Sequence, residues 1–447
     1  MDVLRKLRSH KGRIFGWRWL YLLLAIAGAL LFVAVGRVPA IAQANATVVV
    51  DFAAAQPGVK SMSGFLHSVE QNEPPDNQIR PLAPKLWRMG RFDLYPRLTG
   101  FGATYQLVLS DTWGYGTQRG WPFEDYGKWE AHVRNLAQKH GDKNIAWDIW
   151  NEPDLRDPFW KGTREQFFET YKRAYRVLRE ELGPDAMIGG PSIMKYDKGF
   201  LTAFLNYARS NNLEVNFLSW HELNDQEITA IASHIQDARR SFQQNPAFRS
   251  LNIKELQINE IVGPTAQYRP AENLGFLHYA EQGGADAAAK ACWEAKGGGQ
   301  SNCWNNSLDG LVQPGSFASR AVWWVYKSYA DGVGSRVRSQ TTNPKVVALA
   351  SRSNAQNRAQ VLFGYFEQGR SSPRASMTLV LKNLRQLNLA EPGQPLTFSI
   401  SRIPDSGEGV VKELTKLTQE QIAVSDETVR LTIPNLKLHE AYLLTIG

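Results

Sequence analysis

Cysteine is scarce in this sequence, with only Cys292 and Cys303 among 447 residues. Two cysteines cannot build a disulfide-dense scaffold, and no clustered histidines lie near them to complete a zinc site. We therefore predict no metal centre and no cofactor. The two cysteines bracket a run of glycines at 297–299, and in an oxidising compartment we expect them to form a disulfide that closes this loop. Two free thiols are the alternative.

A basic surplus is absent from most of the chain. The formal net charge is +8, but residues 1–46 hold seven basic side chains against one acid and account for +6 of it. The rest of the chain therefore lacks the strongly basic surface that nucleic-acid binding requires. We predict no nucleic-acid partner.

The N-terminus has the composition of an export segment. Basic residues precede 19–36, a run without a charged side chain, and small residues at 40–46 offer cleavage sites. The run is close to the lower limit of about 17–25 residues for a membrane-spanning helix, so an uncleaved anchor is the alternative to a signal peptide. In both cases we expect the rest of the chain to be extracytoplasmic, whether secreted, periplasmic or anchored to the membrane.

Apolar runs alternate with amphipathic helical patterns over residues 47–338. The strand-like runs are at 64–69, 86–90, 103–110, 145–151, 186–191, 215–221, 254–260 and 287–293. Helical patterns lie between them at 127–140, 164–182, 198–211, 225–243 and 270–282. Eight strands alternating with helices predict an α/β fold, a (β/α)8 TIM barrel. The pattern is least distinct over 74–84 and 91–102.

Residues 339–447 have a different pattern. Apolar-rich segments at 345–352, 358–366, 375–383, 396–402, 428–433 and 441–446 are separated by Gly, Pro, Asn and charged residues. No long helical period intervenes, so we predict a small C-terminal β-sandwich domain. Residues 47–52 precede the barrel and are placed to add a strand to that sandwich.

Two carboxylates end predicted barrel strands. Glu152 follows the fourth strand in Trp147-Asp148-Ile149-Trp150-Asn151-Glu152-Pro153-Asp154, and Glu260 ends the seventh. Catalytic groups of a barrel sit at the C-terminal ends of its strands, so both glutamates should face the same pocket. Cutting a glycosidic bond requires one protonated and one ionised carboxyl, which makes this pair the predicted catalytic site. Glu222 and Glu255 are the competing candidates for the second position.

The two glutamate segments resemble those of the clan A retaining glycoside hydrolases. The run at 150–155 and the segment at 321–331 are most similar to the acid/base motif and final barrel helix of glycoside hydrolase family 39. That family includes β-xylosidases, α-L-iduronidases and exopolysaccharide hydrolases. The segment at 258–261 differs from the family's more usual Thr-Glu-aromatic pattern, and 221–223 differs from His-x-Tyr.

The resemblance implies roles for six residues. Glu152 would be the general acid/base and Glu260 the nucleophile. Asn151 would hold the sugar 2-hydroxyl, Arg88 would keep Glu260 ionised, His221 would line the subsite of the cleaved sugar, and Trp293 would form its floor. A structural ion pair for Arg88, a hydrogen-bonded barrel histidine for His221 and core packing for Trp293 are the alternatives. Position at the rim adds two candidates for substrate binding or loop anchoring, His67 and Trp113.

The sequence thus predicts a retaining glycoside hydrolase that cleaves a polysaccharide or oligosaccharide by double displacement. A transglycosylase would use the same residues, and a non-catalytic carbohydrate-binding protein would keep the scaffold without the carboxylate geometry. The carboxyl separation distinguishes these classes, since about 5–5.5 Å is typical of retaining enzymes and about 6.5–9.5 Å of inverting ones.

Overall fold

The computed structural model describes residues 44–294, 300–353, 358–367, 374–389, 394–423 and 428–447. The predicted export run at 19–36 lies outside the described residues. Across the part of the chain that is described, no helix has both the length and the apolar character needed to span a bilayer.

A closed barrel of eight parallel strands confirms the predicted fold class. The first strand of the chain, β1 (Ala44–Ala55), belongs to a separate sheet, and the barrel strands follow it in chain order. They are β2 (Gly64–Phe65), β3 (Leu86–Met89), β4 (Thr104–Val108), β5 (Ile145–Asp148), β6 (Met187–Ile193), β7 (Phe217–Glu222), β8 (Glu255–Ile261) and β9 (Ala287–Lys290). Each of the eight predicted runs overlaps one of these strands.

The helices lie between and after the barrel strands. They are α1 (Asp76–Ile79), α2 (Tyr95–Thr99), α3 (Leu109–Trp113), α4 (Tyr126–His140), α5 (Arg164–Leu182), α6 (Lys198–Ser210), α7 (Ile231–Ala238), α8 (Pro270–Gly283) and α9 (Ala321–Gly332). The indistinct patterns at 74–84 and 91–102 correspond to the short helices α1 and α2. The predicted helix at 225–243 is divided, because a 3-10 turn precedes α7 and a π-helical turn follows it.

Helix α5 shows how the sequence specifies these elements. Thr163 caps it, since the Thr163 hydroxyl accepts from the amide of Gln166 at 3.2 Å and the Gln166 side chain accepts from the Thr163 amide at 2.8 Å. Phe167, Tyr171 and Leu178 recur at helical spacing and are fully buried. The cap sets where the helix begins, and the apolar stripe fixes which face packs on the barrel.

The second sheet contains nine strands in the spatial order β15-β14-β17-β12-β11-β10-β1-β13-β16. Its remaining strands are β10 (Arg336–Thr341), β11 (Val346–Ser353), β12 (Arg358–Tyr365), β13 (Arg374–Lys382), β14 (Pro395–Ile403), β15 (Thr415–Ala423), β16 (Thr428–Lys437) and β17 (Ala441–Ile446). The predicted sandwich implied two sheets, whereas the hydrogen bonds link all nine strands into one. The edge strand β16 also approaches β12, and the strands enclose a single core.

Strand β1 occupies an interior position in this sheet, as its sequence suggested. It pairs in parallel with β13 and antiparallel with β10. Val48, Val50 and Phe52 alternate along it and are fully buried in the sheet core. The sheet therefore combines a strand that precedes the barrel with strands that follow it, and β10 spans the predicted domain boundary at 338/339.

The barrel and the sheet share a buried ion pair. Arg336 at the start of β10 donates from Nε to Oε1 of Glu281 on α8 at 2.8 Å, and both side chains are almost fully buried. Gln360 on β12 donates to the carbonyl of Ser328 on α9 at 2.7 Å. Helices α8 and α9 thus lie between the barrel strands and the sheet.

Replacing Phe52 by Ala should lower the free energy of unfolding by about 3–5 kcal/mol, since it removes a buried ring from the sheet core. Guanidinium denaturation followed by circular dichroism measures the change. The control is Ala53→Ser on the exposed side of the same strand, which should leave the midpoint unchanged. Equal midpoints for the two variants would contradict the interior position of β1.

Candidate active site

Glu152 lies on the turn that follows β5. Its backbone has φ of 48°, in the left-handed region, which costs a non-glycine residue about 1–2 kcal/mol. The turn is held because the Glu152 amide donates to the carbonyl of Ser192 at 2.9 Å. The side chain is buried, and its Oε1 lies 3.0 Å from Nδ1 of His221. The strained turn therefore directs this carboxylate into the mouth of the barrel.

Glu260 lies near the C-terminal end of β8, beside His221 on β7. An irregularity in the ladder between Trp220 and His221 brings His221 into register with Glu260. The Glu260 side chain is 14% exposed, and its Oε2 lies 3.8 Å from Nδ1 of His221. One oxygen of Glu152, one oxygen of Glu260 and a ring nitrogen of His221 all lie within 4.8 Å of one another. The two carboxylates therefore converge on one point, as the sequence predicted.

Arg88, near the end of β3, donates to three side chains at once. Its Nη1 donates to Oε1 of Glu260, its Nη2 to Oδ1 of Asn151 and its Nε to Oδ2 of Asp148, each at 2.8 Å. The side chain is almost fully buried. Arg88 therefore forms the predicted pair with Glu260, and it also orients Asn151 next to Glu152.

Asp148 at the end of β5 was not predicted as a site residue. It is fully buried, and its carboxylate accepts from four side chains: Arg88, Gln106 at 3.1 Å, Ser192 at 2.9 Å and Asn259 at 3.2 Å. This polar layer lies inside the barrel beneath the glutamate pair. A charged residue in an otherwise apolar buried strand was the available signal, because such a charge requires partners.

The two glutamates have different electrostatic surroundings. Burial raises the pKa of Glu152 to about 7, against a weaker opposing influence of Arg88. Burial also raises the pKa of Glu260, but His221 and Arg88 oppose that rise, and Arg88 bonds directly to this carboxylate. Direct pairing with a guanidinium favours the ionised form of Glu260. Glu152 is thus the carboxyl better suited to carry a proton near neutral pH.

His221 is fully buried and lies between the two carboxylates. Burial lowers its pKa to about 4, so the ring is neutral near pH 7. A neutral ring has one nitrogen that donates and one that accepts. Nδ1 therefore either donates to ionised Glu152 or accepts the proton of its neutral form.

The competing acids Glu222 and Glu255 lie apart from this pair. Glu222 accepts from Nε1 of Trp220 at 2.8 Å and contacts His234 of α7 at 2.9 Å. Glu255 begins β8 at the opposite end of the strand and accepts from Gln257 at 2.7 Å. Neither carboxylate joins the convergent group.

The two tryptophan candidates differ in exposure. Trp113 ends α3 and is fully buried, with its ring edge-on to Trp129 at 5.3 Å. Its N–H donates to the carbonyl of Gly120 at 2.7 Å, so it anchors a loop, the alternative to the substrate contact for which it was a candidate. Trp293 lies beyond the end of β9, is partly exposed, and donates to the carbonyl of Val262 at 2.9 Å.

His67 follows β2 at the same rim as the glutamates. Its Nε2 lies 3.5 Å from Oδ2 of Asp111, and its ring packs against Trp304 with centroids 4.5 Å apart. His67 is therefore at the barrel mouth, but its contacts are to Asp111 and Trp304 rather than to the glutamates. Trp304 was not considered as a site residue from the sequence.

Cys292 and Cys303 form the predicted disulfide, with Cα atoms 5.1 Å apart. The bridge links the segment after β9 to the residue that precedes Trp304. The glycines at 297–299 lie outside the described residues.

Glu152, His221 and Glu260 are also the described residues whose ligand atoms converge closely enough to hold a metal ion. Two carboxylates and one imidazole suit divalent transition metals such as zinc. The same convergence suits proton transfer and nucleophilic attack by the carboxylates themselves. The expectation that the protein uses no metal remains a prediction.

A parallel barrel with two carboxylates at its C-terminal rim is an architecture used by many glycoside hydrolases, and comparisons with known proteins show similarity to one family of them. A family model described as "Glycosyl hydrolases family 39" matches residues 118–259. This segment contains Glu152 and ends immediately before Glu260.

Curated relatives point to the same family. A segment of 124 residues is 25% identical to a β-xylosidase of Caldicellulosiruptor saccharolyticus, and one of 108 residues is 30% identical to a β-xylosidase of Geobacillus stearothermophilus. These segments cover 26% and 22% of this chain and 25% and 21% of those proteins. The matched region thus spans about a quarter of the length of each curated relative.

The fold has a solved counterpart in the GH39 enzyme from Xanthomonas axonopodis pv. citri. The two structures superpose with a TM-score of 0.66 at 14% identity, over 92% of this chain and 99% of that one. At this identity the likeness concerns the fold alone. The sequence match over residues 118–259 relates this part of the chain to the family 39 glycosyl hydrolases.

The three hydrogen bonds of Arg88 predict that another cation cannot substitute for its guanidinium. Arg88→Lys keeps the charge but cannot donate to three acceptors in this geometry, so the free energy of unfolding should fall by about 3 kcal/mol, as when a buried ion pair is broken. Thermal and denaturant unfolding measure the loss. The matched control is Arg80→Lys at an exposed pair with Asp76, which should behave as wild type. An Arg88→Lys protein as stable as this control would contradict the structural role.

Proposed function

We propose that the protein is a retaining glycoside hydrolase in which Glu152 is the general acid/base and Glu260 the nucleophile. The observation that carries the proposal is the convergence of the two carboxylates, with one oxygen of each within 4.8 Å of the other. This close approach of the oxygens favours the carboxyl separation of about 5–5.5 Å of retaining enzymes over the about 6.5–9.5 Å that leaves room for an inverting water. It supports direct attack by a carboxylate on the anomeric carbon and net retention of configuration.

In the first step, protonated Glu152 donates to the departing glycosidic oxygen while Glu260 attacks the anomeric carbon. Oε1 of Glu260 is held by Arg88 at 2.8 Å, whereas Oε2 has a looser contact, 3.8 Å from His221. Oε2 is thus the oxygen available to form the glycosyl–enzyme bond. In the second step, Glu152 takes a proton from water, and the resulting hydroxide displaces Glu260 from the sugar.

Asn151 is oriented to bind the sugar 2-hydroxyl. Its Oδ1 accepts from Arg88 at 2.8 Å, and its backbone amide donates to the hydroxyl of Ser110 at 3.1 Å. The side-chain N–H₂ therefore remains available to donate to the substrate. A hydrogen bond to the 2-hydroxyl strengthens towards the transition state and contributes to the rate rather than to binding alone.

The geometry of the site argues against one of the two rival functions and is compatible with the other. A sugar-binding protein without activity has no requirement for converging carboxylates with unequal environments, so the site favours catalysis. A transglycosylase uses the same first step and transfers the glycosyl group to a second sugar instead of water. Analysis of products at high oligosaccharide concentration distinguishes transfer from hydrolysis.

The similarity to curated β-xylosidases makes a β-xyloside the first substrate to test. We also propose that the protein acts outside the cytoplasm. The Cys292–Cys303 disulfide supports this location, because such bonds persist in oxidising compartments.

Substitution of the two glutamates tests the assignment of roles. Glu260→Ala should abolish turnover and recover it with azide, giving a glycosyl azide of inverted configuration. Glu152→Gln should lower kcat about 10²–10⁴-fold on xylobiose, because general acid catalysis is lost. On 2,4-dinitrophenyl β-xyloside, whose leaving group needs no proton, kcat/KM should fall much less, whereas kcat should remain low because the second step still lacks its base.

Glu255→Gln at the bottom of the barrel is the matched control and should retain wild-type activity. Circular dichroism should show that all three variants are folded. Near-normal turnover by either the Glu152 or the Glu260 variant would remove that residue from the mechanism.

The pH profile of kcat/KM tests which glutamate carries the proton. Because burial raises the pKa of Glu152 to about 7, the acid required for the first step is present below that pH and is lost above it. We therefore expect activity to decline as pH rises through about 7, and to decline at acid pH as Glu260 becomes protonated. The same profile is measured for Glu152→Gln on the dinitrophenyl substrate. If kcat/KM still declines at alkaline pH in this variant, the group that loses its proton is not Glu152.

A further inference from the structure

Trp304 is exposed at the barrel rim. Among the described residues, two large hydrophobic side chains are classed as exposed, Trp304 at 57% and Leu417 at 52%. Leu417 lies on β15, an edge strand of the second sheet. Single exposed apolar side chains are common on protein surfaces, so exposure alone does not indicate a function for either residue. The two differ in how they are held and in what lies next to them.

The backbone around Trp304 is fixed on both sides. The preceding residue, Cys303, is bridged to Cys292, and its carbonyl accepts from the amide of Ser68 at 2.9 Å. The Trp304 amide donates to the carbonyl of Ser301 at 3.0 Å, and the Trp304 carbonyl accepts from Gln300 at 2.9 Å. An indole on a fixed backbone loses little conformational entropy when a ligand binds, which is the property expected of a binding platform.

Trp304 packs against His67 at the rim that carries the catalytic pair. Its ring packs against His67 with centroids 4.5 Å apart and planes inclined by 33°, so the exposed area belongs to the rest of the indole. His67 in turn contacts Asp111 at 3.5 Å. The Asp111 carboxylate is close enough to Arg88 and Glu260 to influence the pKa of each. Two contacts thus connect the exposed indole with Asp111, whose charge acts on the nucleophile.

We propose that the open face of Trp304 binds a second sugar of the substrate, next to the sugar that is cleaved. The proposal rests on the function proposed above and makes it more specific: the protein acts on chains of at least two linked sugars. An indole face matches the apolar C–H face of a pyranose, and the nearby Asp111 carboxylate can accept from sugar hydroxyls. The disulfide would hold this platform in place, so its reduction should weaken binding of longer substrates.

Substitution of Trp304 should change the preference for chains over single sugars. The probes are xylotriose and β-xylosyl fluoride, because the fluoride has no aglycone that could occupy the second subsite. Loss of one stacking contact of about 1.5 kcal/mol corresponds to about a tenfold loss of affinity. In Trp304→Ala we therefore expect the ratio of kcat/KM for xylotriose to that for the fluoride to fall about tenfold, mainly through KM.

Two variants control for the substitution, and a third tests the disulfide. Trp304→Phe keeps an aromatic face and should retain most of the xylotriose preference. Leu417→Ala removes the other exposed hydrophobic side chain and should leave the preference unchanged. Cys292→Ser combined with Cys303→Ser should lower the preference in the same direction as Trp304→Ala.

Binding measured by calorimetry separates failure of this inference from failure of the proposed function. The wild-type protein and Trp304→Ala are titrated with trisaccharides of xylose, glucose, mannose and galactose. Tenfold weaker binding by the variant supports the subsite. If the wild type binds these sugars in this way but cleaves none of them, the proposed hydrolysis is wrong and the subsite stands. Equal binding by the two proteins, or no binding of any trisaccharide by the wild type, would overturn the subsite.

Discussion

The guanidinium of Arg88 is the contact on which the site depends. A buried charge is tolerated only when it is paired and hydrogen-bonded, and Arg88 meets this requirement with acceptors from two other strands and one turn. Any shift of β5 or β8 relative to β3 would leave a buried donor unsatisfied. The positions of Glu260 and Asn151 are therefore fixed by the same interaction that compensates the charge. Asp148, which Gln106, Ser192 and Asn259 hold from below, extends this constraint into the barrel interior.

The difference between the two glutamates follows from the same arrangement. Both are largely removed from solvent, and desolvation disfavours the charged form of each. Arg88 bonds to Glu260 and not to Glu152, so the positive charge favours ionisation of one member of the pair. An ionised Glu260 then makes ionisation of its neighbour less favourable. One cation placed asymmetrically therefore favours the ionised form of Glu260 more strongly than that of Glu152, which is the asymmetry that acid/base catalysis by a carboxyl pair requires.

The sequence predicted the barrel, its eight strands, the glutamate pair and the disulfide, because these depend on local patterns and on the rule that barrel sites lie at C-terminal strand ends. It did not predict the polar layer around Asp148, since those contacts depend on the register between strands. The sequence left open whether Trp113 binds substrate or anchors a loop, because burial on the short helix α3 depends on packing. Strand β15 was missed because it is mostly polar, as suits an edge strand, and β10 because it has a single apolar residue that is buried, Val337.

The abundance of tryptophan also has a structural explanation in this protein. Trp150, directly before Asn151, is fully buried and lies edge-on to Trp160 at 5.1 Å and to Trp129 at 5.8 Å. This aromatic cluster anchors the turn from which Glu152 projects, and so offsets the unfavourable backbone conformation of that residue. Most of the aromatic surface near the motif is therefore used to hold a carboxylate in position rather than to contact a sugar. In the function proposed here, recognition of the sugar falls to side chains that remain accessible at the rim, such as Trp293 and Trp304, and the disulfide restrains the segment that carries Trp304.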